Sequence, residues 1–282
     1  MTPLKFGFVS PYNEARTVAD FAGEAEQAGW DGFFIGENLW HNDAWVSLAA
    51  AAMCTSRIRL GTMVSPLPSM QPRKIASETA TLDNLSGGRV ILSAGMGAVW
   101  MGYQGFPDEV TDTKVRAELL DEAINLITLF HKGEPFDYDG KHHHVRQTAV
   151  DKMHYPAPPV QRPRVPIWVV CVWPRMKSMR RCLRCDGLIP NKMNAEGKLV
   201  DVRPEDVRAM KAFVDAERTL TTPFDIVVEG STAGLSRAEA AGKLAPWEEA
   251  GATWWIETRY GVPKEEVAAR LRQGPPRATT GD

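Results

Sequence analysis

Several things are scarce in this chain, and each scarcity closes off a class of function. Neither charge is in excess: 33 Lys and Arg stand against 35 Asp and Glu, a formal net charge of −2. A balance so near neutral gives no electrostatic drive toward nucleic acid or an anionic membrane, so an anionic ligand needs a local site. Cysteine is rare, with Cys54, Cys171, Cys182 and Cys185 the only four in 282 residues. That usage fits a reduced compartment, and a chain of this length buries enough core to fold without disulfide or metal staples. Long apolar runs are missing too, since a stretch such as Val46–Cys54 is far too short to span a bilayer. The start, Met1-Thr2-Pro3-Leu4-Lys5-Phe6, runs directly into a strand-like pattern and lacks the features of a signal peptide. The expectation is a cytoplasmic protein with a small-molecule partner, neither nucleic acid nor membrane, and with a homodimer as an open option.

What is present is a rhythm of strand and helix repeated eight times. Strand-like runs fall at Leu4–Ser10, Gly32–Gly36, Ile58–Val64, Arg89–Ala94, Ile167–Val172, Asp186–Ile189, Phe224–Val228 and Ala252–Ile256. Between them lie helical spacings, with Asp43, Asp112 and Ser236 placed as N-caps and Pro174, Pro204 and Pro263 as helix openers. Helix seven is expected to be interrupted at Pro246. Eight alternating units predict parallel strands with crossover helices, closed as a (β/α)8 TIM barrel spanning 1–282 as one domain. Residues 133–163 break the rhythm with a hairpin turning at Asp139-Gly140, then proline-rich chain; 274–282 reads as a tail. An open doubly wound sheet would carry a glycine loop after its first strand, whereas this chain has Ser10-Pro11-Tyr12-Asn13 there.

Barrel active sites lie at the carboxyl ends of the strands. The strand-end residues include Ser10 and Tyr12; Glu37, Asn38, Trp40 and His41; Met63, Val64 and Ser65; Gly95, Met96, Gly97 and Trp100; Cys171, Trp173 and Arg175; Asn191 and Lys192; Glu229; and Glu257. Among them only His41 offers an imidazole, which is poor for a metal-dependent hydrolase. A glycosidase would need Glu229 and Glu257 facing each other, and a Schiff-base aldolase would need Lys192 desolvated, where a solvated loop lysine is the plainer reading. The list is rich in glycine and aromatics and poor in acid–base groups, which suits a flat ring cofactor that supplies the chemistry. Gly95 and Gly97 read either as close approach to a ligand or as a tight turn. Trp173-Pro174-Arg175-Met176-Lys177-Ser178 opens a helix at the mouth, where Arg175, Lys177 and Ser178 fit a phosphate; Arg175, Lys177, Arg180 and Arg181 also read as a solvated basic face. Cys182-Leu183-Arg184-Cys185 lacks a second cysteine pair and reads as buried small residues; no metal site is expected, and His142-His143-His144 is a weak metal candidate.

Two runs carry a resemblance. Asn42-Asp43-Ala44-Trp45 through Thr55-Ser56-Arg57-Ile58-Arg59-Leu60-Gly61-Thr62-Met63-Val64, and Leu82-Asp83-Asn84-Leu85-Ser86-Gly87-Gly88-Arg89 followed by Gly95-Met96-Gly97, resemble the luciferase-like family. Pro166-Ile167-Trp168-Val169 and Cys185-Asp186-Gly187 fall at that family's fifth and sixth strands. The resemblance implies a TIM barrel using FMN or the deazaflavin coenzyme F420 for monooxygenation or hydride transfer. It implies a cis peptide at Met63–Val64 under the cofactor ring, a cofactor site of Met63, Val64, Gly95, Met96, Gly97 and Arg175, and substrate-facing Tyr12, Glu37, Trp40 and Trp100. The family's usual Asp-His pair is Glu37-Asn38 here, and asparagine cannot donate a proton at neutral pH. Asn38 and His41 are therefore the catalytic candidates, His41 as the substitute acid or base. Ala98 stands where some deazaflavin members have glutamate, and Cys171-Val172-Trp173 replaces a Gly-Gly. These departures keep a second reading open, a flavin-binding relative with little or no turnover.

Overall fold

The computed structural model describes residues 3–146 and 157–277. Eight parallel strands close on themselves in the order β1 (Lys5–Ser10), β2 (Gly32–Ile35), β3 (Arg59–Thr62), β5 (Val90–Gly95), β8 (Ile167–Trp173), β9 (Gly187–Met193), β11 (Asp225–Gly230) and β12 (Trp254–Thr258), and β12 pairs with β1. The short β4 (Ser65–Pro66) continues β3 beyond a cis peptide at Met63–Val64 and pairs with β5. Helices α1 (Ala15–Gln27), α2 (Ala44–Cys54), α3 (Pro72–Ser86), α4 (Thr113–Phe130), α5 (Met176–Cys182), α6 (Pro204–Glu217), α7 (Arg237–Ala250) and α8 (Lys264–Arg272) provide the crossovers. The expected (β/α)8 barrel is thus the observed one. Asp43, Asp112 and Ser236 accept backbone N–H bonds from Val46, Val115 and Glu239, as their cap positions require.

Side chains alternate along each strand, so one set points into the barrel and the other out toward the helices. The inward set is Val9, Phe34, Met63, Ile91, Trp168, Ile189, Val227, Trp254 and Ile256. Phe34, Trp168 and Trp254 meet with ring centroids 5.5, 6.2 and 5.2 Å apart. Space for these rings comes from strand glycines: a Cβ on Gly32 would lie 2.7 Å from Phe34, and one on Gly187 2.5 Å from Trp168. The interior is filled here and a ligand must enter at the other end, where the strands finish.

The structure corrects several boundaries. β9 runs through Pro190 to Met193, because the antiparallel β10 (Leu199–Val200) extends it. Pro190 is tolerated because β11 pairs with β9 only at Gly187 and Leu188, leaving one flank of the strand open. Lys192 is consequently a strand residue whose ammonium pairs with Asp206 at 2.8 Å, and not a solvated loop lysine. Helix α7 is not interrupted at Pro246. Both Pro246 and Gly242, four residues earlier, are exposed, so water can meet the carbonyl that proline leaves unbonded. The hairpin exists as β6 (Tyr138–Asp139) and β7 (His144–Val145), but Gly140–His143 make a four-residue loop in place of a tight Asp-Gly turn. That loop wraps the Glu122 carboxylate, which accepts N–H bonds from Lys141, His142 and His143. Part of the proline-rich excursion, 147–156, and the end of the tail, 278–282, lie outside the described residues.

His142, His143 and His144 each face a different carboxylate, Glu118, Glu122 and Asp139, so the three rings do not converge. Cys182 and Cys185 are buried, and burial pushes the Cys185 thiol up to about 12, so it carries no thiolate near neutral pH. Among the described residues no cluster of His, Cys, Asp and Glu is arranged to hold a metal ion, and no helix is long and apolar enough to cross a membrane.

Glu257, at the end of the last barrel strand, is fully buried. It accepts bonds from Thr232 N and Oγ1, Ser231 Oγ and Trp255 Nε1, and pairs with Arg270 Nε at 3.1 Å. Arg270 also reaches the Gly274 carbonyl, so this pair ties β12 to α8 and to the loop after β11. Arg270→Met leaves that carboxylate buried without its cation, and is expected to lower unfolding stability by about 3–5 kcal/mol. The urea midpoint of the variant checks this; an unchanged midpoint would mean that the polar contacts to Glu257 suffice alone.

Candidate active site

The open end of the barrel gathers most of the expected residues. The loop after β2 carries Glu37, Asn38, Trp40 and His41. Asn13, in the loop after β1, reaches across and donates from Nδ2 to the Gly36 carbonyl at 2.7 Å. That bond fixes which end of the amide is nitrogen. The same Nδ2 lies 3.3 Å from His41 Nδ1, and Asn38 Nδ2 lies 3.3 Å from it as well. His41 Nδ1 thus faces two side-chain amides, and which atom of each pair donates depends on the tautomer of the ring. Asn38 and His41 are thus joined, with Asn13 as a third member that sequence reasoning did not single out. Tyr12 donates its hydroxyl to the Val262 carbonyl at 3.0 Å, which pins its ring to the loop after β12.

Glu37 is the most perturbed acid of this group. It accepts a short bond from Ser65 Oγ, and Ser65 Oγ lies 2.8 Å from Thr62 Oγ1. Burial pushes its carboxyl up to about 7, with the Ser65 bond opposing and the nearby Glu78 and Asp43 charges adding to the rise. Trp45 opposes weakly, since its buried Nε1 meets no acceptor at hydrogen-bonding geometry. A carboxyl poised at that value holds a proton in part of the population near neutral pH and can give or take it, a condition for general acid–base work.

The ends of β4, β5 and β8 present an apolar surface. Val64, half-buried after the cis Met63–Val64 bond, packs on Gly95, where a Cβ would come within 2.9 Å of Val64 and 3.4 Å of Val170. Gly97 has φ 77°, and a Cβ on it would strike Pro66, Arg116 and Tyr103 at 2.8–3.0 Å. Protein packing and a left-handed turn thus account for both glycines. Met96 offers its carbonyl to Arg116 Nε at 2.8 Å. Arg116 is itself 1% exposed; it also binds Glu109, the Val110 carbonyl and Ser69, and stacks on Tyr103. It holds the long loop after β5 in place, a role that sequence reasoning missed. The one available signal was a charge on the otherwise apolar face of α4.

Trp100 and Trp40 are exposed at the mouth, Trp40 lying against Gly102 and tilted over Phe106. Arg175 is exposed before α5, and its guanidinium hydrogen-bonds only the Met193 sulfur among the described residues. No contact joins Arg175 to Gly97. Arg181 is buried and bound to Asp121, so the four cations near α5 do not form one solvated face. Ser178 Oγ accepts from the Val172 N–H at 3.0 Å, a bond that does not use its own proton. With Glu257 spent internally and Glu229 exposed, the two carboxylates are not a facing pair.

A family model described as luciferase-like monooxygenase matches residues 4–278. The F420-dependent glucose-6-phosphate dehydrogenase of Kineococcus radiotolerans is 31% identical over 168 residues, 55% of this chain and 50% of that protein. The chain spans about half the length of the curated relatives it matches. Among solved structures, the coenzyme F420-dependent tetrahydromethanopterin reductase of Methanopyrus kandleri superposes with TM-score 0.72 at 19% identity, covering 95% of this chain and 96% of that one. The oxygenating constituent of 3,6-diketocamphane monooxygenase from Pseudomonas putida, in complex with FMN, gives TM-score 0.64 at 19% identity over 95% and 83%. At such identities the structural likeness speaks for the fold.

The raised Glu37 carboxyl has a consequence for stability. The folded state binds its proton up to about pH 7, while the unfolded chain releases it near the usual carboxylate value of 4.5. The contribution is fully present below pH 4.5 and is lost as pH rises through 7. Between pH 5 and 8 the thermal midpoint of the parent should fall relative to that of Glu37→Gln. Parallel midpoint curves for the two proteins would show that Glu37 titrates normally.

Proposed function

The chain belongs to the luciferase-like monooxygenase family, and we propose that it is an oxidoreductase using FMN or coenzyme F420 to transfer hydride or oxygen to a small organic substrate. The observation that carries the reading is an uncharged surface of Val64, Gly95 and Val170 at the strand ends, with the raised Glu37 carboxyl bonded to Ser65, the residue after Val64. A flat ring fits such a surface, and the free donors of Arg175 fit a phosphate at its far end. Bound in reduced form, either cofactor supplies a hydride, and reduced FMN also supplies electrons to dioxygen. Met63, Val64, Gly95, Met96 and Gly97 would line the ring through backbone and apolar contact.

In this reading Glu37 holds the proton that balances charge at the reacting centre, and Ser65 and Thr62 extend it into a hydroxyl chain. His41 is the substitute acid or base, and Asn13 and Asn38 orient its ring. Tyr12, Trp40 and Trp100 face the substrate. Binding without turnover is the second reading, motivated by asparagine at position 38 and alanine at position 98.

Two variants test the assignment. Arg175→Ala is expected to weaken cofactor binding by about 1–3 kcal/mol, the size of a lost charge-assisted hydrogen bond. Glu37→Gln should leave cofactor affinity unchanged and slow turnover by roughly 10²-fold. Unchanged affinity in the first and unchanged turnover in the second would remove both roles, and a parent protein that binds without turning over would favour the second reading.

A further inference from the structure

Two loops at the mouth bring together large apolar side chains that the fold leaves uncovered. Trp40 is 64% exposed, Trp100 80%, and Met101 and Phe106 40% each. Single exposed apolar residues are ordinary on a protein surface, but a cluster beside a candidate active site is not. The cluster is also held in shape. Trp40 lies 4.8 Å from Phe106 at an interplanar angle of 32°, and its Nε1 presses so close on Gly102 that a Cβ there would be 2.7 Å away. The loop bearing Gly102 and Phe106 is anchored from below by buried Tyr103 and Arg116. Rings packed on one another, as Trp40 and Phe106 are, bind with little ordering cost.

Charge narrows what these rings can hold. Residues 95–107 contain no charged side chain. Within 36–45 and 95–113 every Asp, Glu, Lys or Arg is acidic: Glu37, Asp43, Asp108, Glu109 and Asp112. Just outside that window Lys114 is exposed at the start of α4, while Arg116 is buried and spent on protein partners. Over the ring-bearing stretch 95–107 itself, a phosphorylated or carboxylated substrate would meet no cation. Arg175, another exposed cation, stands at the end of β8, next to β5 and three strands around the barrel from the loop after β2.

Resting on the reading of the mouth as the active site, we propose that Trp40, Trp100 and Phe106 form the substrate shelf. The substrate class is a flat, uncharged, apolar molecule, aromatic or fused-ring, and not a sugar phosphate. Stacking on Trp40 would lay such a molecule next to His41, the neighbouring residue and the candidate acid or base. Each stacked ring face contributes on the scale of an aromatic pair, and the exposed indoles lose water in doing so.

Calorimetric titration of the full chain with 2-naphthol and, separately, with a hexose phosphate tests this, with and without added cofactor. Saturable binding of 2-naphthol is expected, weakened at least tenfold by Trp40→Ala and by Trp100→Ala, and restored toward the parent by Trp40→Phe. The hexose phosphate should not compete. Trp100 is so exposed that its variant cannot fail through loss of core packing. No binding of 2-naphthol, affinity unchanged by both alanine variants, or tighter binding of the hexose phosphate would overturn the proposal. So would sedimentation showing that Trp100→Ala dissociates a dimer, since the shelf would then be covered by a second copy. If 2-naphthol binds as expected but neither FMN nor coenzyme F420 binds the parent, the shelf stands and the redox reading of the site fails.

Discussion

Three rings fill the barrel. Phe34, Trp168 and Trp254 come from strands far apart in sequence and meet on the axis, where Gly32 and Gly187 leave them room. So large an aromatic plug can be buried only if all eight strands close around it, and it leaves no passage through the interior. The candidate site accordingly lies at the strand ends, among the loops after β1, β2, β5 and β8.

At that end the acids divide by what they touch. Glu257 is buried but surrounded by donors and a guanidinium, so its charge is satisfied and it serves the closure of the chain. Glu37 is surrounded by hydroxyls and further acids, so its charge is disfavoured and it keeps a proton to about pH 7. The same chemical group is structural in one place and available in the other, and the difference is the partner set. Cations divide similarly: Arg116, Arg181 and Arg270 are consumed inside the fold, while Arg175 is not.

Much of this was legible in the sequence, and what was not has a physical reason. The alternation of strands and helices, the caps at Asp43, Asp112 and Ser236, and the cluster Glu37, Asn38 and His41 follow from local pattern and from the rule that barrel sites lie at strand ends. Pro190 and Pro246 misled because proline's cost depends on whether the missing N–H or the freed carbonyl is needed, which only the neighbours decide. Ser65, Asn13 and Arg116 were not weighted because their partners lie 28, 28 and 20 residues away, at Glu37, His41 and Met96. Gly95 and Gly97 stand at the end of β5 as expected, and the side chains that crowd them belong to the protein itself.

Whether the mouth holds a flavin-type ring is read most directly from the visible absorption of FMN and of coenzyme F420 during titration with the purified chain. A saturable shift of the ring's band with at least one of them is the predicted result, because an uncharged wall replaces water against one face of the ring. No shift with either at about 1 mM protein, where a binding free energy as weak as about −4 kcal/mol would still be seen, would contradict the assignment.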